Sequence, residues 1–213
     1  MKHLYPRGEE EFGLVLTFSD GVYAIAMTLL VVGIDLPNLH PGPSGSDLLE
    51  ALGDTRQQIV SYAISFAVIA RYWVAHHQFY ARLRALDSGL IALNLVSLGV
   101  VAFLPFPTDV LGNYFENPVS IIFYALTVAL VSGLEVAMFS RAHRQDLLDP
   151  RITEEIYRWE RASSTAPVIF FLLSLPLAFV RPELSVLLWF AGIPYQLLYL
   201  NRHKPAGAEE LLG

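Results

Sequence analysis

The chain has 213 residues, 54% of them hydrophobic and only 16% charged, with a mean hydropathy of +0.46 and a formal net charge of −6. Several apolar runs of about 18 residues or more exclude an ordinary water-soluble domain and indicate an all-α membrane protein. Strand-period alternation of the barrel type is absent, and the lack of cysteine excludes disulfides, thiolate chemistry and Cys-ligated metals.

Residues 1–13 read as a short polar arm, with Glu9, Glu10 and Glu11 ahead of the first apolar run, a pattern unlike a cleaved signal. The first span covers about 14–34. The loop after it holds Pro37, Pro41, Gly42 and Pro43, and Ser46 or Asp47 is placed to cap a short helix through Leu52. The second span runs about 57–79 and ends at His76-His77-Gln78-Phe79; the basic turn Arg82-Leu83-Arg84 follows. The third span, about 89–106, is expected to stop at Pro105 and Pro107. The fourth covers about 119–140.

Residues 141–162 are the longest charged stretch. Asp149-Pro150 reads as a helix start, after which Ile152, Ile156 and Trp159 share one side. Such a helix either lies at the membrane interface or serves as a solvated connector. Spans five and six, about 164–180 and 184–200, are joined at Arg181-Pro182-Glu183 and carry Pro167, Pro176 and Pro194. The whole chain, 1–213, reads as a single transmembrane domain without an internal repeat.

In a six-span layout, Lys2, Arg7, Arg82, Arg84, Arg141, Arg144, Arg151, Arg158, Arg161, Arg202 and Lys204 fall on one side. Only Arg56 and Arg181 fall on the other. Eleven against two places both termini in the cytoplasm. Asp20, Arg71, His76, His77, Asn94 and Glu135 then lie at similar depth on four helices, and intramembrane charges normally pair. Asp20 is expected to bond to groups of spans two and three, with His77, Trp73 and Asn94 as its candidates.

On a helical projection, Phe18, Gly21, Val22, Ile25, Thr28, Leu29, Val32 and Leu36 form one stripe, and Asp20 falls well off it. Such an aliphatic ladder is either lipid contact and helix packing or the wall of a pore that gates by dewetting. Periodicity does not choose between them.

Phe18-Ser19-Asp20, followed by Ala24-Ile25-Ala26-Met27-Thr28-Leu29-Leu30-Val31, resembles the signature first helix of the transmembrane protein 175 family. These are the endolysosomal potassium channels and their single-repeat prokaryotic relatives. The family pattern is Arg-x-x-x-Phe-Ser-Asp; this chain has Leu14 where the family has Arg. The resemblance implies a six-helix subunit of a potassium-selective channel, assembled as a homotetramer in a prokaryotic plasma membrane. It also implies a pore lined by the first helix, at Ile25, Thr28, Leu29 and Val32, with Ile25 the innermost ring. Ser19, Asp20, Arg71, Trp73, His77 and Asn94 would form the structural network behind that helix, Arg71 standing in for the charge missing at Leu14. No Thr-Val-Gly-Tyr-Gly filter loop is present, so selectivity would come from side chains.

Adjacent histidines diverge by about 100° on a helix, so His76 and His77 chelate one ion poorly. The expected cofactors are none, with potassium as the permeant ion and only a transient ligand. Neither a hydrolase elbow nor a phosphate-cradling loop is present, the basic residues track one membrane side rather than a nucleic-acid surface, and no enzyme activity is expected. The competing reading is a proton-coupled transporter that uses Asp20, Arg71, His77 and Glu135 as a relay; a non-conducting scaffold is the third.

Overall fold

The computed structural model describes residues 4–35, 41–195, 198, 201–205 and 208. Lys2, Leu36, Pro37 and most of the end of the sixth expected span lie outside the described residues. Helices dominate, as continuous apolar runs require in lipid, where every backbone polar group needs an internal partner. They are α1 (Glu10–Leu29), α2 (Gly45–Asp54), α3 (Arg56–Ala81), α4 (Ser88–Phe103), α5 (Pro105–Asn113), α6 (Pro118–Arg144), α7 (Glu154–Ala178) and α8 (Pro182–Pro194). Five stretches of 24 to 27 residues are long and apolar enough to cross a membrane: Glu10–Gly33, Arg56–Ala81, Ser88–Asn113, Pro118–Arg144 and Glu154–Ala178. At 1.5 Å per residue each is about 36–40 Å long, more than a hydrocarbon core of about 30 Å. Of the sixth expected span, about 184–200, α8 supplies residues 184–194. It folds back on α7, where Trp189 Nε1 donates to Ser174 Oγ at 2.8 Å and Ser185 Oγ donates to the Ser174 carbonyl at 2.9 Å.

The polar arm before α1 carries a strand: β1 (Leu4–Pro6) pairs antiparallel with β2 (Ala85–Asp87), with Tyr5 opposite Leu86. Three local expectations are corrected. Pro105 does not end the third span but begins α5, because proline at a first helical position lacks only an N–H that would be unpaired anyway. The short helix is capped by Ser44, in a capping box with Asp47, rather than by Ser46 or Asp47. The Ser44 backbone N–H holds the Asp47 carboxyl below its ordinary range. Finally, the charged connector and the fifth span are one helix: α7 is capped by Thr153, whose Oγ1 accepts from Ile156 N at 3.3 Å, while Asp149 pairs with Arg151 instead. Ile156 is buried against Ala208 of the tail, with Ile152 and Trp159 packed around it, so that stripe is covered by the chain itself.

α6 is the central element, packed against α4, α5 and α7. One core cluster gathers Tyr23, Ile69, Tyr124, Val128 and Trp189; the other, toward the β1–β2 end, gathers Phe12, Tyr80, Leu86, Met138 and Tyr157. The basic residues at that end are tied down by acids. Arg82 pairs with Glu160 at 2.8 Å, Arg141 with Asp87 at 2.6 Å and Arg84 with Asp146 at 2.5 Å. Asp87 also caps α4 by accepting from Leu90 N at 2.7 Å. α1 packs on α3 and α4 at the edge of this bundle, which sets up the site.

Candidate pore face and the polar network behind it

α1 begins with Glu10 and Glu11, carboxylates that suit the positive end of a helix. Its buried residues are Phe12, Ser19, Tyr23 and Ala26, followed by Leu30. The steps of seven, four, three and four mark one helical face, turned to α3 and α4. The opposite face stays uncovered within the subunit. Leu14, Phe18, Gly21, Ile25, Thr28, Leu29 and Val32 are all exposed, Ile25 at 59% and Val32 at 70%. Val22, expected on the stripe, is half-buried against the core. Thr28 Oγ1 donates to the Ile25 carbonyl at 2.9 Å, which spends its proton inside the helix and leaves its oxygen lone pairs for another partner.

The stripe is not one straight ladder. Leu30–Gly33 tighten into a 3-10 turn, in which Leu30 is buried and both Val31 and Val32 are exposed. A 3-10 segment advances about 120° per residue, so Val32 leaves the phase shared by Ile25 and Leu29. The turn closes at Gly33, where a Cβ would stand 3.2 Å from Asp109 Oδ1 of α5. Just beyond, Asp35 N donates to Gln58 Oε1 at 3.1 Å, and Gln58 Nε2 donates to Asn113 Oδ1 at 2.7 Å. α3 and α5 lie close enough there that a Cβ on Gly112 would meet Gln58 Cα at 3.0 Å. Spacing gave no sign of this clamp on the far end of α1, because Asp35, Gln58, Asp109 and Asn113 are far apart in the chain and lie at or beyond the ends of the apolar runs.

The middle of α1 is held by side chains. Trp73 Nε1 donates to Asp20 Oδ1 at 2.8 Å. Asn94 Nδ2 donates to Ser19 Oγ at 3.0 Å, and Ser19 Oγ donates to the Val15 carbonyl at 2.8 Å. His76 Nε2 lies 2.8 Å from Asn94 Oδ1. Since the Asn94 amide nitrogen is engaged with Ser19, its oxygen accepts, and His76 must donate through Nε2; neutral His76 then keeps a bare Nδ1. All donors run one way, from α3 through α4 to α1.

The structure therefore brings together Ser19, Asp20, Trp73 and Asn94, with a corrected division of partners. Asn94 serves Ser19, not Asp20. His77 is exposed and contributes a ring contact to Trp73, with centroids 5.9 Å apart, while its neighbour His76 supplies the hydrogen bond. The reason is phase: Ser61, Ser65, Ile69, Tyr72, His76 and Phe79 form the buried side of α3, and His77 stands about 100° away. Arg71 is exposed and, among the described residues, makes no ion pair with Asp20; its electrostatic partner is Glu135. Among the described residues no group of three His, Asp or Glu is placed to hold a metal.

A relative from Streptomyces collinus, named as a potassium channel, is 35% identical to this chain over 181 residues, covering 83% of the chain and 86% of the relative. The family model described as the endosomal/lysosomal potassium channel TMEM175 matches residues 15–105, which hold most of α1, all of α3 and α4 and the whole polar network. The chain belongs to the TMEM175 family. The TMEM175 fold is also found in the crystal structure of a lysosomal potassium-selective channel homologue from Chamaesiphon minutus. Similarity to it has a TM-score of 0.71 at 28% identity, over 91% of this chain and all of the other. A mouse relative named as an endosomal/lysosomal proton channel is 37% identical over 111 residues, 49% of this chain and 22% of that protein.

Proposed function

We propose that this TMEM175 chain is the subunit of a potassium-selective channel that conducts passively along an axis lined by α1. The observation that carries this reading is the uncovered face of α1. Phe18, Ile25 and Leu29 each leave about half of their surface uncovered within the subunit, although the helix is pinned on its other side at its middle and just beyond its far end. Four copies round a shared axis would give that face a partner. Relatives named as potassium channels over most of their length support the ion.

In this assembly Ile25 forms the innermost apolar ring and Leu29 the next, with Val32 shifted by the 3-10 turn. An apolar ring penalises ions that keep a full water shell, and potassium sheds water more readily than sodium. Thr28 offers the one hydroxyl, its lone pairs free toward a partly dehydrated ion. The subunit has six spans, α8 belonging to the last. Both termini are cytoplasmic, in a prokaryotic plasma membrane, with lipid covering the outer helices. The chain does no chemistry on its permeant ion.

Potassium flux from proteoliposomes of purified protein, with and without an imposed potential, tests the reading. Flux that follows the ion gradient and the potential alone is expected. Saturable flux coupled to protons would point instead to the transporter reading, and none at all to a scaffold.

A further inference from the structure

Buried polar atoms without partners are few in folded proteins, because each forfeits a hydrogen bond it had in water. Among the described residues there are five: Tyr23 Oη, His76 Nδ1, Tyr80 Oη, Ser97 Oγ and Glu135 Oε1. Four of them share one neighbourhood between α1, α3 and α6. The His76 ring stacks on Tyr80, centroids 4.5 Å apart, and approaches Tyr23 at 5.3 Å. Glu135 is within electrostatic reach of Tyr23. His76 and Glu135 line the same cavity of about 30 Å³, together with Arg82, Glu160 and Ser164. A water molecule needs roughly 10–15 Å³ of such space and two to four polar partners. The cavity meets both conditions.

We propose that Glu135 and His76, bridged by water in this cavity, form a proton-binding site behind α1, and that the charge held there alters conduction along the exposed face of α1. The first half stands on the geometry alone; the second rests on the channel reading. A proton taken from water adds to a carboxylate oxygen of Glu135 or to the bare Nδ1 of His76. On His76 it makes an imidazolium, whose Nε2–H is a stronger donor to Asn94, and Asn94 in turn holds Ser19 of α1. On Glu135 it removes the only negative charge facing Tyr23 from α6.

The surrounding charges come from every packed element. Arg71 of α3 and Glu160 of α7 act on Glu135, and Tyr72 of α3 faces it, while Asp20 of α1 and His77 of α3 act on His76. Arg82 neutralises Glu160 directly at 2.8 Å, so Glu135 is the acid left without a hydrogen-bonded cation.

Two measurements test this. Infrared difference spectra of the purified protein over about pH 5 to 9, where buried carboxyls and imidazoles titrate, should show a protonated-carboxyl band that Glu135→Gln removes. Potassium flux in proteoliposomes should change about fivefold or more across the same range. Glu135→Gln should flatten that profile, and Glu135→Asp should keep one with a displaced midpoint. A band that survives Glu135→Gln, no titrating band, a flat wild-type flux, or a Glu135→Gln profile like wild type would each overturn the proposal. Should flux be missing at every pH, the channel reading fails, and the infrared band still decides the site.

Discussion

The two faces of α1 differ in a way opposite to a soluble helix. The covered face carries all the buried polar tips: Ser19 and Tyr23 sit among Phe12, Ala26 and Leu30, with Asp20 at its edge bonded to Trp73. The uncovered face is almost wholly apolar, in Leu14, Phe18, Ile25 and Leu29. In lipid, apolar surface gains nothing by hiding from the solvent, so helices associate through small residues and interhelical hydrogen bonds. The greasier face is therefore the one free to meet something else, whether lipid, a neighbouring subunit or an ion path. The polar face does the holding.

Substitutions on the two faces should separate accordingly. The largest effect is expected from Asn94→Leu, which takes a partner from His76 and Ser19 together, leaving His76 Nε2 unpaired and Ser19 with only its bond to the Val15 carbonyl. A loss of about 1–3 kcal/mol follows from the cost of the orphaned group, visible as a lowered thermal unfolding midpoint in detergent. Asp20→Ala removes one hydrogen bond at a half-buried site. About 1–2 kcal/mol and poorer assembly are expected, with ion selectivity unchanged in whatever assembles. Altered selectivity in an intact assembly would put Asp20 on the ion path and reverse the assignment of the faces.

Ile25→Asn should do the converse. Stability stays within about 0.5 kcal/mol, since the side chain touches little within the subunit, while potassium flux rises and discrimination against sodium weakens. Unchanged flux would assign the bare face to lipid. The smallest effect belongs to a site remote from both faces. Hydrogen bonds from Arg151 hold the Asp149 carboxyl down at about 2, below the ordinary value of about 3.9. Its contribution is complete above the ordinary value and is lost as pH falls toward about 2. Being a solvated pair, it should cost less than about 1 kcal/mol when Asp149 is changed to Asn at neutral pH.

The phase of α1 was legible from spacing alone. Period 3.6 put Ile25, Thr28 and Leu29 together and Asp20 away from them, and the structure leaves that group exposed and bonds Asp20 to Trp73. Phase also separated His76 from His77, yet the choice between them needed to know which side of α3 met α4. Pro105 illustrates the opposite failure. Proline is read as a stop, but at a first helical position it costs nothing, and only a neighbour for α5 reveals that a helix resumes.

By itself the sequence determined the class of the protein, the spans recorded in its long apolar runs, and the two faces of the first helix, because these follow from hydropathy and period along one chain. The tertiary structure alone decided which polar groups meet, where α1 tightens into a 3-10 turn, and that unpaired atoms of His76 and Glu135 come to one cavity with those of Tyr23 and Tyr80 nearby. Hydrogen bonding and cavity shape depend on distances of a few ångströms between helices far apart in the chain. Sequence spacing carries no record of them.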